Sequence, residues 1–165
     1  MKLINHTVNE TIVSGNAKVE MINNILSFSL DDMYYVDDRE TYITNYCQYL
    51  DTLSFTSVLI GGLGLGLIPF FLYNNMNITD IDILENNQGV IDIISQMSYL
   101  NTDINIINQD ARTFNTSKTY DLILMDLWWF DDQTFIDDKA SILSNYNTNL
   151  NADGKFYFPI SNEII

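Results

Sequence analysis

Short alternating runs fill the first part of the chain, and longer apolar runs replace them from residue 57 onward. Residues 2–13, 17–22 and 25–30 interleave apolar and polar positions, with Ser14-Gly15-Asn16 and Asn23-Asn24 between them. Alternation with a period of two, closed by turn formers, predicts half-buried strands and here two hairpins of a small antiparallel element. Asp37 or Asp38 then caps a predicted helix that reaches about Leu53, with Tyr42, Tyr46, Tyr49 and Leu50 at helical spacing. Past that point, apolar strands are predicted at 57–60, 78–84, 104–108, 120–126 and 155–160, separated by helices at 65–74, 88–99 and 132–147. Strands apolar on both faces and divided by helices predict a parallel sheet that is covered on both sides. Right-handed crossovers make this a Rossmann-like, doubly wound α/β sheet in the order 3-2-1-4-5. The expected organisation is an N-terminal β-hairpin element at 1–36 and a nucleotide-binding domain at 37–165.

The candidate chemistry sits where these strands end. Val58-Leu59-Ile60 runs into Gly61-Gly62-Leu63-Gly64-Leu65-Gly66, which opens the next helix. Glycines there permit a tight turn and a close backbone approach to a ligand, and the helix N-terminus suits an anionic group. About 20 residues past the last glycine, Glu85 ends the second strand, where an acid accepts ribose hydroxyls. The spacing is G-x-G-x-G, which departs from the G-x-G-x-x-G of dinucleotide binders and disfavours a nicotinamide cofactor. Asp110 follows the third strand, placed to accept from an adenine amino group. Asp126 ends the fourth strand and precedes Leu127-Trp128-Trp129-Phe130, an apolar wall beside a carboxylate. Burial beside tryptophans raises the pKa of such an acid and suits it to accept a proton near neutrality, so Asp126 is the candidate general base. Trp128, Trp129 and Tyr42 are the candidate substrate pocket, since aromatic faces attract cations.

Composition narrows the function classes. With Lys+Arg 7 against Asp+Glu 22, the net charge is −15, which argues against nucleic-acid backbones and anionic membrane surfaces as partners and leaves cationic partners compatible. Cys47 is the lone cysteine, so a disulfide framework or zinc cluster within one chain is excluded, and no metal is expected. The adjacent acids Asp131-Asp132 and Asp137-Asp138 point to different faces of a helix and read as a solvated surface. Asp80 and Asp82 share one strand face and are expected to meet the N-terminal element or a second subunit. His6, the only histidine, falls in the first hairpin. The uncharged stretch 52–79 is interrupted by glycines and Pro69, and its apolar centre is shorter than the roughly 20 residues of a membrane span. With no signal-like start, the chain is expected to be cytoplasmic.

These motifs together resemble the class I S-adenosylmethionine-dependent transferases, and most closely the spermidine synthase branch. The resemblance covers about residues 17–160. Its glycine motif falls on the 61–66 segment, its ribose E-x-D on Glu85-Asn86-Asn87, its D-x-R-x-F on Asp110, Arg112 and Phe114, and its Y-D with a distal acid on Tyr120, Asp121 and Asp126. It implies a cofactor site of Gly61, Gly62, Leu63, Gly64, Gly66, Glu85, Asn86, Asp110, Ala111, Asp126 and Leu127, binding S-adenosylmethionine or its decarboxylated form. The amine-binding acids differ: Gly64 and Asn87 stand where that branch has Asp, Leu127-Trp128-Trp129 replaces its Ser/Thr-rich segment, and Thr44-Asn45-Tyr46 replaces its Tyr-His-Glu cluster. The expected activity is methyl transfer to a small molecule or basic peptide. Aminopropyl transfer, cofactor cleavage and a non-catalytic nucleoside- or partner-binding module are the alternatives. Because the sequence ends soon after the fifth strand, an open sheet edge and a homo-oligomer are expected.

Overall fold

A computed structural model describes residues 11–22, 25–37, 49–100, 103–128 and 133–165. His6, Tyr42, Tyr46, Cys47, Trp129, Phe130 and Asp131-Asp132 lie outside them, as do residues 38–48 of the predicted helix at 37–53, whose described end holds the short 3₁₀ turn Leu50–Thr52. The chain forms two sheets. The first is an antiparallel meander, β1 (Ile12–Ser14), β2 (Ala17–Ile22), β3 (Ile25–Leu30) and β4 (Met33–Asp37), in sequential order. Strand β4 is an addition to the two predicted hairpins, and it makes Asp37 the end of a strand. Asp31 and Asp32 form the turn before it, both with positive φ (49° and 61°). Such a pair matches the twist of a two-residue hairpin, and Asp tolerates the left-handed region better than most residues.

The second sheet contains β5 (Ser57–Gly61), β6 (Asp80–Leu84), β7 (Asn105–Ile107), β8 (Tyr120–Met125), β9 (Leu150–Phe158) and β10 (Glu163–Ile164). Its order is β10-β9-β8-β5-β6-β7. Strands β5 to β9 are parallel, and they reproduce the expected 3-2-1-4-5 order. Helices α1 (Leu67–Met76), α2 (Gln88–Ile94) and α3 (Gln133–Tyr146) form the crossovers. Strand β10 pairs antiparallel with β9, and Phe156 and Ile165 exchange backbone bonds at 2.9 and 3.0 Å. The carboxyl end of β9, Phe156–Phe158, is therefore covered from within the chain.

Alternate residues of β5 feed two cores. Val58 and Ile60 join Leu72, Ile83, Val90 and Ile93 on one face, where Val19, Leu26 and Phe28 of the small sheet also pack. Leu59 joins Ile123, Phe135, Ile142 and Phe158 beneath α3 on the other. Burying both faces of a parallel sheet in this way explains the continuous apolar runs of its strands. The small sheet is fastened to α2 by polar contacts as well. Ser14 Oγ donates to Asp92 at 3.0 Å, Asn87 Nδ2 donates to Asn16 Oδ1 at 2.8 Å, and a Cβ at Gly89 would strike the Ser14 carbonyl.

Candidate functional site

The strand order reverses between β5 and β8, so a crevice opens at their carboxyl ends. Asp126 N donates to Gly61 O at 2.8 Å, which holds the two strand ends together. Gly61 lies against Met125, Ala111 and Leu127, at 2.5, 3.2 and 3.3 Å from where its Cβ would be. Gly62 has φ +93°, and a Cβ there would strike the Asp126 carbonyl. The glycine at position 62 is thus demanded by the neighbouring strand end, before any ligand is considered. Gly64 and Gly66 also have positive φ (49° and 71°), and Gly66 is the N-cap of α1. The first turn of α1 offers the N–H groups of Leu67 and Ile68 only, because Pro69 follows and carries none.

Glu85 is half-buried at the end of β6 and reaches back to the glycine loop. Its Oε2 accepts from Leu63 N at 3.1 Å and its Oε1 from Asn87 N at 2.7 Å. The N-cap of α2 is Asn87, whose side chain accepts from Gly89 N and Val90 N. Glu85 is therefore relieved of capping duty, and each of its oxygens, with two lone pairs, retains capacity for a vicinal diol. Asn86 is exposed beside it.

Asp110 closes a turn. Its Oδ1 accepts from Arg112 N at 2.9 Å, and its carbonyl accepts from Thr113 N and Phe114 N. Arg112 Nε in turn donates to Asp138 Oδ2 at 2.7 Å, and Trp128 Nε1 donates to the same oxygen at 3.0 Å. Burial disfavours the charges on Arg112 and Asp138, yet their mutual hydrogen bond and attraction outweigh it, raising the arginine pKa and lowering that of the aspartate. This corrects the expectation of a wholly solvated Asp137-Asp138 pair, since only Asp137 is exposed. Trp128 packs edge-on against Phe135 at 5.1 Å and lies 6.2 Å from Phe158. One face of this indole is committed to the core, and its polar edge is committed to Asp138.

Within the described residues, the partners of Asp80 and Asp82 come from the parallel sheet and the loop before β8, not from the small sheet. Lys118 Nζ bridges them at 2.5 and 2.8 Å, and Asp82 also accepts from Tyr120 Oη at 2.8 Å and Asn105 Nδ2 at 2.7 Å. Asp121, part of the resemblance, sits at the opposite end of the sheet, where Thr56, Ser57 and Asn151 donate to its carboxylate. Sequence reasoning also missed Tyr99. The helix expected over 88–99 ends at Ile94, and the chain turns so that Tyr99 Oη donates to Leu65 O at 2.6 Å, propping the glycine loop. No local pattern announces that contact. Among the described residues, no cluster of His, Cys, Asp and Glu suits a metal ion, and no helix is long and apolar enough to cross a membrane.

No family model matches the chain, and no curated protein does. Solved structures do match. The plantazolicin methyltransferase BpumL, in complex with S-adenosylhomocysteine and a desmethyl-plantazolicin analogue, is 22% identical with a TM-score of 0.52, over 70% of this chain and 43% of that one. The glycopeptide N-methyltransferase MtfA with S-adenosylhomocysteine is 16% identical with a TM-score of 0.55, over 70% and 51%. The N-methyltransferase NodS from Bradyrhizobium japonicum WM9, also with S-adenosylhomocysteine, is 18% identical with a TM-score of 0.56, over 73% and 60%. The fold is that of the class I S-adenosylmethionine-dependent methyltransferases. The chain spans about half the length of the structures it matches.

Proposed function

We propose that this chain is an S-adenosylmethionine-dependent enzyme that transfers a methyl group to a small-molecule or cationic acceptor, such as a basic peptide. The observation that carries this reading is the Glu85 carboxylate, held between Leu63 N and Asn87 N beside a glycine loop at the switch point of the sheet. That arrangement fits a nucleoside: a fixed acceptor pair for the ribose, a loop that admits close approach, and Asp110 beyond the next strand for the base. Gly61, Gly62, Leu63, Gly64, Gly66, Asn86, Ala111 and Leu127 would line the same site. The bound cofactor would supply an electrophilic methyl carbon on a sulfonium. The chain's own contribution is to hold the acceptor in line with that carbon in a dry pocket. Asp126 would orient the acceptor and take its proton, with Trp128, Trp129 and Tyr42 as pocket walls. The net charge of −15 favours a cationic acceptor through long-range attraction.

Aminopropyl transfer from decarboxylated S-adenosylmethionine is the second reading. It is favoured by the small antiparallel sheet ahead of the nucleotide fold and disfavoured by Gly64 and Asn87 in place of amine-binding acids. Calorimetric titration with S-adenosylmethionine and its decarboxylated form, on the wild type and Glu85→Ala, separates the two. Saturable binding of the carboxylated ligand that is lost in the variant supports methyl transfer, and preference for the decarboxylated ligand supports the alternative. Binding of neither overturns both and leaves a partner-binding scaffold. Release of cleaved ligand without an acceptor would instead mark a cofactor-cleaving enzyme.

A further inference from the structure

We propose that Asn16, in the first turn of the small sheet, is a positioning residue for the Glu85 carboxylate, which it steadies through Asn87, so that the small sheet takes part in selecting a ribose over a deoxyribose nucleoside. The inference rests on the nucleoside-binding reading above and adds the part of the chain that sharpens it.

Asn87 is held at three atoms. Its N–H donates to Glu85 Oε1 at 2.7 Å, its Oδ1 accepts from Gly89 N at 2.9 Å and Val90 N at 3.4 Å, and its Nδ2 donates to Asn16 Oδ1 at 2.8 Å. An aspartate would cap α2 as well but has no donor for Asn16, so the amide is the side chain that serves both ends. Asn16 is held in the same way. Its Nδ2 donates to Asp31 Oδ2 at 3.0 Å, and its carbonyl accepts from Asp31 N at 3.0 Å. Donation runs one way, from Asn87 to Asn16 to Asp31, which fixes the rotation of both amides. The β1–β2 and β3–β4 turns are thereby tied to the residue that orients Glu85.

The first turn is itself firmly seated. A Cβ on Gly89 would strike Ser14 O, so the backbones of the turn and of α2 are in direct contact. Ser14 Oγ donates to Asp92 Oδ2 at 3.0 Å, Gln88 Nε2 to Asp92 Oδ1 at 2.7 Å, and Asn108 Nδ2 to Gln88 Oε1 at 2.6 Å. Beyond the turn, Ala17 and Val19 are fully buried in the core that also takes Val90 and Ile93. Asn16 is therefore carried on a rigid support. Glu85, by contrast, takes one backbone bond on each oxygen, from Leu63 N and Asn87 N. A carboxylate oriented by so few donors keeps its aim only if each donor is fixed by the groups behind it. Loss of the Asn16 bond frees the Asn87 side chain, and with it the 85–87 bend that sets Oε1.

The test is calorimetric titration of S-adenosylhomocysteine and its 2′-deoxyribose counterpart on wild type, Asn16→Ala, Asn87→Ser and the double variant, with Glu85→Ala as the floor. The wild type is expected to prefer the ribose ligand about tenfold, the scale of one hydrogen bond to a charged group. Asn16→Ala and Asn87→Ser are each expected to cut that preference about threefold, the scale of one neutral hydrogen bond, while affinity for the deoxy ligand changes little. Serine still caps α2 but is too short to reach Asn16, so Asn87→Ser is the companion if Asn16→Ala prevents folding. The double variant is expected to lose no more than either single one, as befits residues acting in series. Asn16→Asp combined with Asp31→Asn keeps the charge, keeps an acceptor for Asn87 and reverses the bond to residue 31, and is expected to keep the wild-type preference. Unchanged preference in Asn16→Ala and Asn87→Ser overturns the proposal. So does equal weakening toward both ligands, which marks a purely structural role, and so does loss of the preference in the swapped pair. Wild type that binds both ligands equally overturns the positioning role alone. Wild type that binds neither overturns the nucleoside reading with it.

Discussion

The two ends of the parallel sheet are both rich in carboxylates, and they treat them differently. On the amino-terminal side, Asp82 is buried and takes bonds from Lys118, Tyr120 and Asn105, and Asp121 takes four from Thr56, Ser57 and Asn151. On the carboxyl side, Glu85 takes two backbone N–H bonds, one on each oxygen, and the bonds to the Asp110 carboxylate all fall on Oδ1. Carboxylates saturated by several donors are spent on holding strands together. Those oriented by a backbone amide or one guanidinium keep acceptor capacity aimed outward, which is what a ligand site needs. Acidic residues at comparable places along the strands therefore divide into structure and candidate chemistry by their partners.

Substitutions on the two sides should separate these roles. The largest effect is expected from Gly62→Ala, which adds a Cβ at φ +93° against the Asp126 carbonyl. Strain of this kind costs about 1–3 kcal/mol before the clash is added, so denaturant unfolding should show a loss above about 3 kcal/mol, together with loss of S-adenosylhomocysteine binding. Next comes Asp82→Ala, which strands the buried Tyr120 hydroxyl and the Lys118 ammonium. A loss of about 2–3 kcal/mol is expected, with nucleoside affinity retained in whatever fraction is folded. Reduced affinity in folded Asp82→Ala protein would break the division between the two ends.

Glu85→Ala should do the reverse. Ligand affinity should fall more than about tenfold, the scale of a charge-assisted hydrogen bond, while urea unfolding changes by less than about 1 kcal/mol. A large stability loss without an affinity change would place Glu85 with the structural acids. The smallest effect is a pH dependence. The donors on Asp121, Asn151 foremost and then Thr56 and Ser57, hold its pKa well below the usual carboxylate range. A group whose folded pKa is depressed contributes stability above its unfolded pKa, near 4, and loses it as pH falls toward the folded value. Melting temperatures of wild type and Asp121→Asn should therefore differ at neutral pH and converge as the solution is acidified below about pH 4. A gap that widens with acid would contradict the assignment.

Much of this organisation was legible in the order of residues. Alternating runs announced the small sheet, continuous apolar runs announced β5 to β9, and the glycines with Glu85 marked the crevice. Strand β4 was missed because Asp31-Asp32 is an unusual hairpin turn, and β10 because a two-residue strand has no periodicity to read. Helix α2 stops at Ile94 although Ser95 to Tyr99 keeps a helical composition, and the segment beyond it brings Tyr99 under the glycine loop. The pairing of Asp138 leaves no mark in its own helix, because its partner, Arg112, lies on another element.

The sequence by itself determined the alternation of strands and helices, the strand order and the position of the glycine turn. These follow from periodicity and backbone freedom, which act over a few residues and leave a mark in each segment. Only the tertiary structure decided which acids are spent and which remain open. That outcome depends on donors brought together from distant segments, as when Lys118 meets Asp82 across 36 residues or Leu63 meets Glu85 across 22. A hydrogen bond is satisfied by geometry in space, and the spacing of its partners along the chain carries no regular signal of it.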